Sequence, residues 1–212
     1  RTKKLNTYIL SFKADTLFSA SYFIDGWQLN DNNSDAKRRN LFTMQLTKTD
    51  FIQYLKCPKS LWMRKCDPEN YPSGEVSAFF QKLTREGYEV ENYVRQYFKN
   101  SKEGAVDFQR IFKTDDGLYA RVDALQVTKE DKTFLYEIKS STKVRTDNDH
   151  NHIKDACFQK ICAERSGQRI DRVFLIHLNG DYVRAGEIDP SNLLTFIEVT
   201  EEVLRMFVET EA

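Results

Sequence analysis

Asp123, Glu137 and Lys139 are the residues whose types and spacing best suit chemistry in this chain of 212 residues. They lie in the stretch Leu118 to Thr142, whose two β-branched and aromatic halves flank the charged turn Thr128-Lys-Glu-Asp-Lys132, the pattern of a β-hairpin. Side chains alternate along a strand, so Leu135, Glu137 and Lys139 share one face, and Phe134, Tyr136 and Ile138 the other. A hairpin centred on Glu130 sets Asp123 opposite Glu137. Two like charges about 5 Å apart across a ladder repel. A hard divalent cation between them would offset that repulsion, and Mg²⁺ takes one or two carboxylates together with water and substrate phosphate. Lys139 would face the same site.

The elements around the hairpin must position these groups. Thr47 or Thr49 is suited to cap a helix carrying Phe51, Ile52 and Leu55, and Pro58 restarts it as a second short helix with Leu61 and Trp62. A longer helix is expected from about Val76 to Phe98, with Phe79, Leu83, Gly87, Val90 and Val94 as its apolar stripe and Glu91 at the flank. Val106 to Lys113 reads as a strand closed by the turn Thr114-Asp-Asp-Gly117. Past Lys139, the polar run holding Ser140, Ser141, Lys143 and Arg145 suits a loop near an anionic ligand. A helix from Asn151 to Arg165 carries Gln159 and stops at Gly167. Arg169 to Leu178 is a buried strand, Asn179-Gly-Asp181 turns back through Tyr182 to Arg184, and Asn192 to Glu209 is expected as a closing helix. This order implies an α/β fold with a mixed central sheet flanked by helices, over residues 46–212. Residues 1–45 read as a weakly structured appendage with one or two strands.

Composition narrows the classes. Hydrophobic residues at 40%, aromatic residues at 13% and charged residues at 30% describe a globular domain with a well-solvated surface. Lys plus Arg and Asp plus Glu both number 32, so any basic groove has to be local. Cys57, Cys66, Cys157 and Cys162 lack C-x-x-C spacing and are expected reduced, in the cytoplasm. No apolar run reaches a membrane span, and no phosphate-binding glycine loop or nucleophile elbow is present. His150 and His152 bracket a loop-to-helix junction, whereas His177 reads as a core residue. The chain opens on Arg1 rather than Met, which suits a fragment, so a further domain or partner in a larger assembly stays open.

The ordered set Glu91, Asp123, Glu137-Ile-Lys139 and Gln159 resembles the PD-(D/E)XK nuclease superfamily, in its restriction-endonuclease-like core. Its RecB-type and CRISPR-associated adaptation exonuclease branch is the narrower resemblance. The stretches that carry it are Leu46 to Trp62, Gly87 to Glu91, Tyr136 to Thr142, and Asp155 to Gln159 leading into Val173 to Arg184. The resemblance implies hydrolysis of phosphodiester bonds in DNA with Mg²⁺ or Mn²⁺, in DNA repair, recombination or mobile-element defence. It implies that Asp123, Glu137, the Ile138 carbonyl and Glu91 hold the metal, that Lys139 stabilises the attacking water or developing charge, and that Gln159 positions water or phosphate. Such a cation acts as a Lewis acid on the phosphate.

Two departures stand out. Ala163 takes the place where relatives often carry a tyrosine, and no cysteine follows Cys162 to complete the iron–sulfur cluster of that branch, so no cluster is expected. A catalytically silent nuclease fold that binds nucleic acid or serves in assembly is the alternative. RNA as substrate remains compatible with the same residues.

Overall fold

The computed structural model describes residues 44–72, 78–100, 104–147 and 150–211. The expected N-terminal appendage and the start of the long helix near Val76 therefore lie outside the described residues. The elements are β1 (Leu46–Thr47), α1 (Lys48–Lys56), α2 (Pro58–Cys66), α3 (Ala78–Asn100), β2 (Gly104–Lys113), β3 (Leu118–Thr128), β4 (Thr133–Ile138), α4 (His152–Arg165), β5 (Arg172–Leu178), α5 (Pro190–Leu193), β6 (Leu194–Glu198) and α6 (Thr200–Glu211).

Local chemistry explains most of the boundaries. Thr47 caps α1 through a capping box, its hydroxyl accepting from Asp50 N–H at 3.2 Å while the Asp50 carboxylate accepts from Thr47 N–H at 2.9 Å. Cys57 is extended, and Pro58, with no N–H to lose, opens α2. Gly117 closes the β2–β3 turn at φ +90°, where a Cβ would stand 3.0 Å from Met44 O. Asn151 caps α4 by accepting from Lys154 N–H at 3.0 Å.

The sheet is mixed and runs β1-β3-β4-β5-β6, with β2 also on β3. β2 pairs with β3 antiparallel along its whole length, Gly104 with Thr128 through Lys113 with Tyr119. The other edge of β3 is shared: β1 takes Leu118 and Tyr119 in parallel, and β4 takes Ala124 to Val127 in antiparallel. Between those two partners no strand pairs with this edge among the described residues, and Asp123 adjoins the end of the β4 ladder.

One core packs α4 and α6 against the sheet, with Val122, Leu125, Leu135, Val173 and Leu175 meeting Phe158, Ile161, Cys162 and Val203. The opposite core sets Val90, Val94 and Phe98 of α3 against Ala124, Tyr136, Ile176 and Leu194. The two cores reveal a change of phase in β3. Leu118, Ala120 and Val122 face the first core, yet Ala124 faces the second and Leu125 the first. β2 switches with it, since Phe112 joins the first core and Phe108 the second. Gln109 sits at the switch with φ 61°, between the pairs Phe108–Ala124 and Arg110–Val122, where the ladder skips Gln109 and Asp123.

The C-terminal region corrects an expectation. Asn192 to Glu209 is not one helix: a single turn, α5, leads into β6, which pairs antiparallel with β5 from Leu178–Leu194 to Phe174–Glu198. Leu194-Thr-Phe-Ile-Glu198 is β-branched and aromatic, and the exposed edge of β5 supplies the ladder that decides for a strand. Tyr182 to Arg184, expected to return as a strand, instead lies in the irregular connection to α5.

Candidate active site

The site forms where β3 and β4 part. Ala124 pairs with Tyr136, and one step further Asp123 would meet Glu137, but the backbone ladder stops there. The Asp123 carboxylate takes over, accepting from Ile138 N–H at 2.8 Å. β4 stays paired with β5 through Glu137–Leu175 and Ile138–Ile176, and Lys139 N–H donates to Ile176 O at 2.8 Å. Two strands held on their outer sides and separated at one end leave a gap in the backbone ladder, the cleft, between Asp123 and Glu137.

Glu137 is 1% exposed and carries three donors. Its Oε1 accepts from Lys139 Nζ at 2.7 Å and from Lys48 Nζ at 2.8 Å, while its Oε2 accepts from Gln159 Nε2. Burial by itself would raise the carboxyl's pKa, but the ammonium groups of Lys139 and Lys48 outweigh it and hold Glu137 well below the usual carboxylate range. Asp123 goes the other way. Burial and the Glu137 charge push it up to about 7. Lys139, despite burial, is held above its ordinary value by Glu137 and Asp155.

Helices bring in the remaining groups. In α4, Gln159 and Asp155 lie one turn apart, and Asp155 pairs with Lys139 as Gln159 reaches Glu137. In α1, Lys48 and Phe51 share a face, and the Phe51 ring stacks on Phe158 of α4 with centroids 5.4 Å apart. That aromatic contact fixes the helix so that Lys48, in its first turn, meets Glu137. Asp50, 2% exposed, locks the same turn through Arg64 and through Lys65 at 2.7 Å.

The residues singled out from the sequence divide into two groups. Glu137, Lys139, Gln159, Asp123 and Ile138 converge at the cleft. Glu91 stands apart, with Oε1 held by Arg95 at 2.5 Å and Oε2 by Gln109 Nε2 at 2.9 Å. Glu91 is thus tied to α3 and β2, and among the described residues none of its hydrogen bonds goes to Asp123 or Glu137. Ser140, Ser141, Lys143 and Arg145 lie on the loop that leaves the cleft after β4. The loop is tied back at His152, whose Nδ1 accepts from Arg145 N–H at 3.2 Å and whose N–H donates to Arg145 O at 2.9 Å. Burial and then Lys139 lower the His152 pKa to about 4, so the ring is neutral at pH 7.

Lys48 and Asp155 are the charged groups that the sequence reading passed over. Asp155 had a signal, standing four residues before Gln159 in the same helix. Lys48 lay within the Leu46 to Trp62 stretch, but nothing local tied it to Glu137, 89 residues away.

The donor set suits a hard cation. Two carboxylates and the Ile138 carbonyl are oxygen donors of the type that Mg²⁺ takes while keeping water. Gln159 Oε1 is buried beside them without a hydrogen-bond partner among the described residues, an acceptor suited to a water in the cleft. Among the described residues no three His, Cys, Asp or Glu side chains cluster, so such an ion would rest on two acids.

The fold and site together define an α/β protein with a mixed sheet that parts around a buried carboxylate–lysine cluster. Comparison of the sequence with protein-family models and with curated proteins finds no match. Among solved structures it is similar to an alkaline exonuclease, LHK-Exo, from Laribacter hongkongensis, with TM-score 0.47 and 14% identity over 80% of this chain and 86% of that one. The same exonuclease in complex with dAMP gives 0.46 and 14%, over 81% and 87%. A protein designated SSO0001 gives 0.45 and 13%, over 93% and 84%.

Proposed function

We propose that this protein is a divalent-cation-dependent nuclease that hydrolyses phosphodiester bonds of DNA, in repair, recombination or mobile-element defence. The observation that carries the reading is the parted hairpin, which sets Asp123 against Glu137 with Lys139 beside them. Asp123, Glu137 and the Ile138 carbonyl are the groups that would hold Mg²⁺ or Mn²⁺. Glu91 would join them only on release from Arg95 and Gln109. The bound cation would supply Lewis acidity toward a phosphate oxygen.

The chain's own side chains do the rest. Lys139 carries a fixed positive charge beside the carboxylate pair, suited to a developing negative charge on phosphate oxygens. Asp155 keeps its ammonium in place. Gln159 donates to Glu137 and leaves Oε1 to orient the attacking water. The loop of Ser140, Ser141, Lys143 and Arg145 follows directly and would meet the backbone of the bound strand.

The test is cleavage of end-labelled single- and double-stranded DNA, and of RNA, with Mg²⁺, Mn²⁺ or EDTA and with Glu137→Ala as control. Product lengths give direction and endo- or exonucleolytic mode together. The reading is sunk if no DNA is cut with either metal while Asp123→Ala leaves cation affinity unchanged.

One observation favours a second reading. Glu137 is already compensated by two ammonium groups, so its burial requires no metal. A nuclease fold that has lost turnover and binds nucleic acid would tolerate that arrangement. Calorimetry without cation binding, together with DNA binding unaffected by Glu137→Ala, would favour it.

A further inference from the structure

Lys139 and Lys48 share one oxygen of Glu137, but their surroundings differ. Lys139 has a second acid, Asp155, and a side-chain exposure of 19%. Lys48 is the more open, at 30%, and among the described residues the carboxylate it meets within ion-pair distance is Glu137. A cation drawn to Glu137 competes for the charge that now holds both ammonium groups. Lys139 would keep Asp155. Lys48 would lose the one carboxylate it pairs with among the described residues, though Asp123 and Asp155 also act on its charge, and would stay charged and anchored by α1.

The position of α1 makes that charge useful. The capping box of Thr47 and Asp50 and the Phe51–Phe158 stack fix the first turn, so the Lys48 stem starts from a rigid point. Asp50 is occupied by Arg64 and Lys65 and does not compete for Lys48. Asp155 is paired with Lys139, and Asp123 would be engaged by the cation, which leaves Lys48 to the anion that the site binds. An ammonium group is a compact point charge with three donors, well matched to a non-bridging phosphate oxygen.

Resting on the nuclease reading, we propose that Lys48 is a substrate-contacting residue, exchanging its ion pair with Glu137 for a phosphodiester oxygen of the bound strand when a divalent cation occupies the cleft. It lies outside the Asp…Glu-x-Lys motif, 89 residues before Glu137. The site then has two lysines with separate duties. Lys139 stays with the carboxylates, and Lys48 belongs to the substrate.

The experiment measures DNA binding and cation binding separately on the full chain. Fluorescence anisotropy of labelled single- and double-stranded oligonucleotides is followed in Ca²⁺ across a range of salt for the wild type, Lys48→Gln and Lys48→Arg, and Mg²⁺ is titrated calorimetrically into each. The expected result is DNA binding weaker by about tenfold in Lys48→Gln, with the salt slope reduced by about one. Cation affinity should be unchanged or tighter, and Lys48→Arg should keep both properties. Wild-type affinity and slope in Lys48→Gln overturn the proposal alone. Loss of cation binding in Lys48→Gln assigns the lysine to holding Glu137 in place and overturns it as well. A wild-type chain that binds neither Mg²⁺ nor DNA overturns the nuclease reading, and this proposal with it.

Discussion

At the scale of single residues, Glu137 is the side chain on which most depends. A carboxylate that is 1% exposed has lost its water, a cost of several kcal/mol, and here two ammonium groups and an amide replace that water. Glu137→Gln keeps the shape and removes the charge, leaving Lys48 and Lys139 side by side. Urea unfolding at pH 7 should show a loss of about 3 kcal/mol, and Mg²⁺ titration no binding. Asp123→Asn is a milder change, because an amide oxygen can still accept from Ile138 N–H. It should cost less than about 1 kcal/mol while also abolishing cation binding. Equal stability losses in the two variants would contradict the role given to the lysines.

At the scale of elements, the α1–α2 hairpin delivers Lys48, and Asp50 is its clasp. Burial would raise the Asp50 carboxyl, but Lys65, Thr47 and Arg64 together hold it below its ordinary value. A carboxyl depressed in the folded state stabilises fully above its unfolded pKa, near 4, and that stability is lost as pH falls through the lower folded value. Urea midpoints should therefore fall between pH 5 and pH 2 more steeply in the wild type than in Asp50→Asn. Parallel curves would show that the clasp contributes nothing. A different cost is expected where the hairpin packs, since Phe158 is 1% exposed beneath Phe51. Phe158→Ala should lose about 3–5 kcal/mol in the same assay.

The same elements show what a sequence can and cannot display. The meeting of Lys139 with Glu137 follows from alternation along one strand, and α4 was readable as a helix from Asn151 to Arg165 stopped at Gly167. Both are local. Lys48 meets Glu137 only through an aromatic stack between distant helices, and no local pattern encodes that. The phase change at Gln109 and Asp123 is likewise hidden, because constant register and switched faces look the same in one dimension. β6 was misread for a related reason: Pro190 and Ser191 are good helix starters, and only the free edge of β5 turns Leu194 to Glu198 into a strand.

At the scale of the whole molecule, the cleft joins the sheet to the helices α1 and α4. Asp123 comes from β3, Glu137 from β4, Lys48 from α1 and Gln159 from α4, so a cation bound between the acids is bound only by the folded chain. Ligation that discriminates against the unfolded state adds stability by mass action, about 2.7 kcal/mol when the free ion is a hundred times Kd. A protein of this size gains about 2–4 °C in Tm per kcal/mol, so saturating Mg²⁺ should raise Tm by about 5–10 °C relative to EDTA in scanning calorimetry. Asp123→Asn and Glu137→Gln should each remove the shift, and Lys48→Gln should keep it. An unshifted wild-type Tm at millimolar Mg²⁺ and Mn²⁺ would mean that the lysines, and not a metal, are the permanent counter-ions of this cleft, and the fold would then be one that binds without cutting.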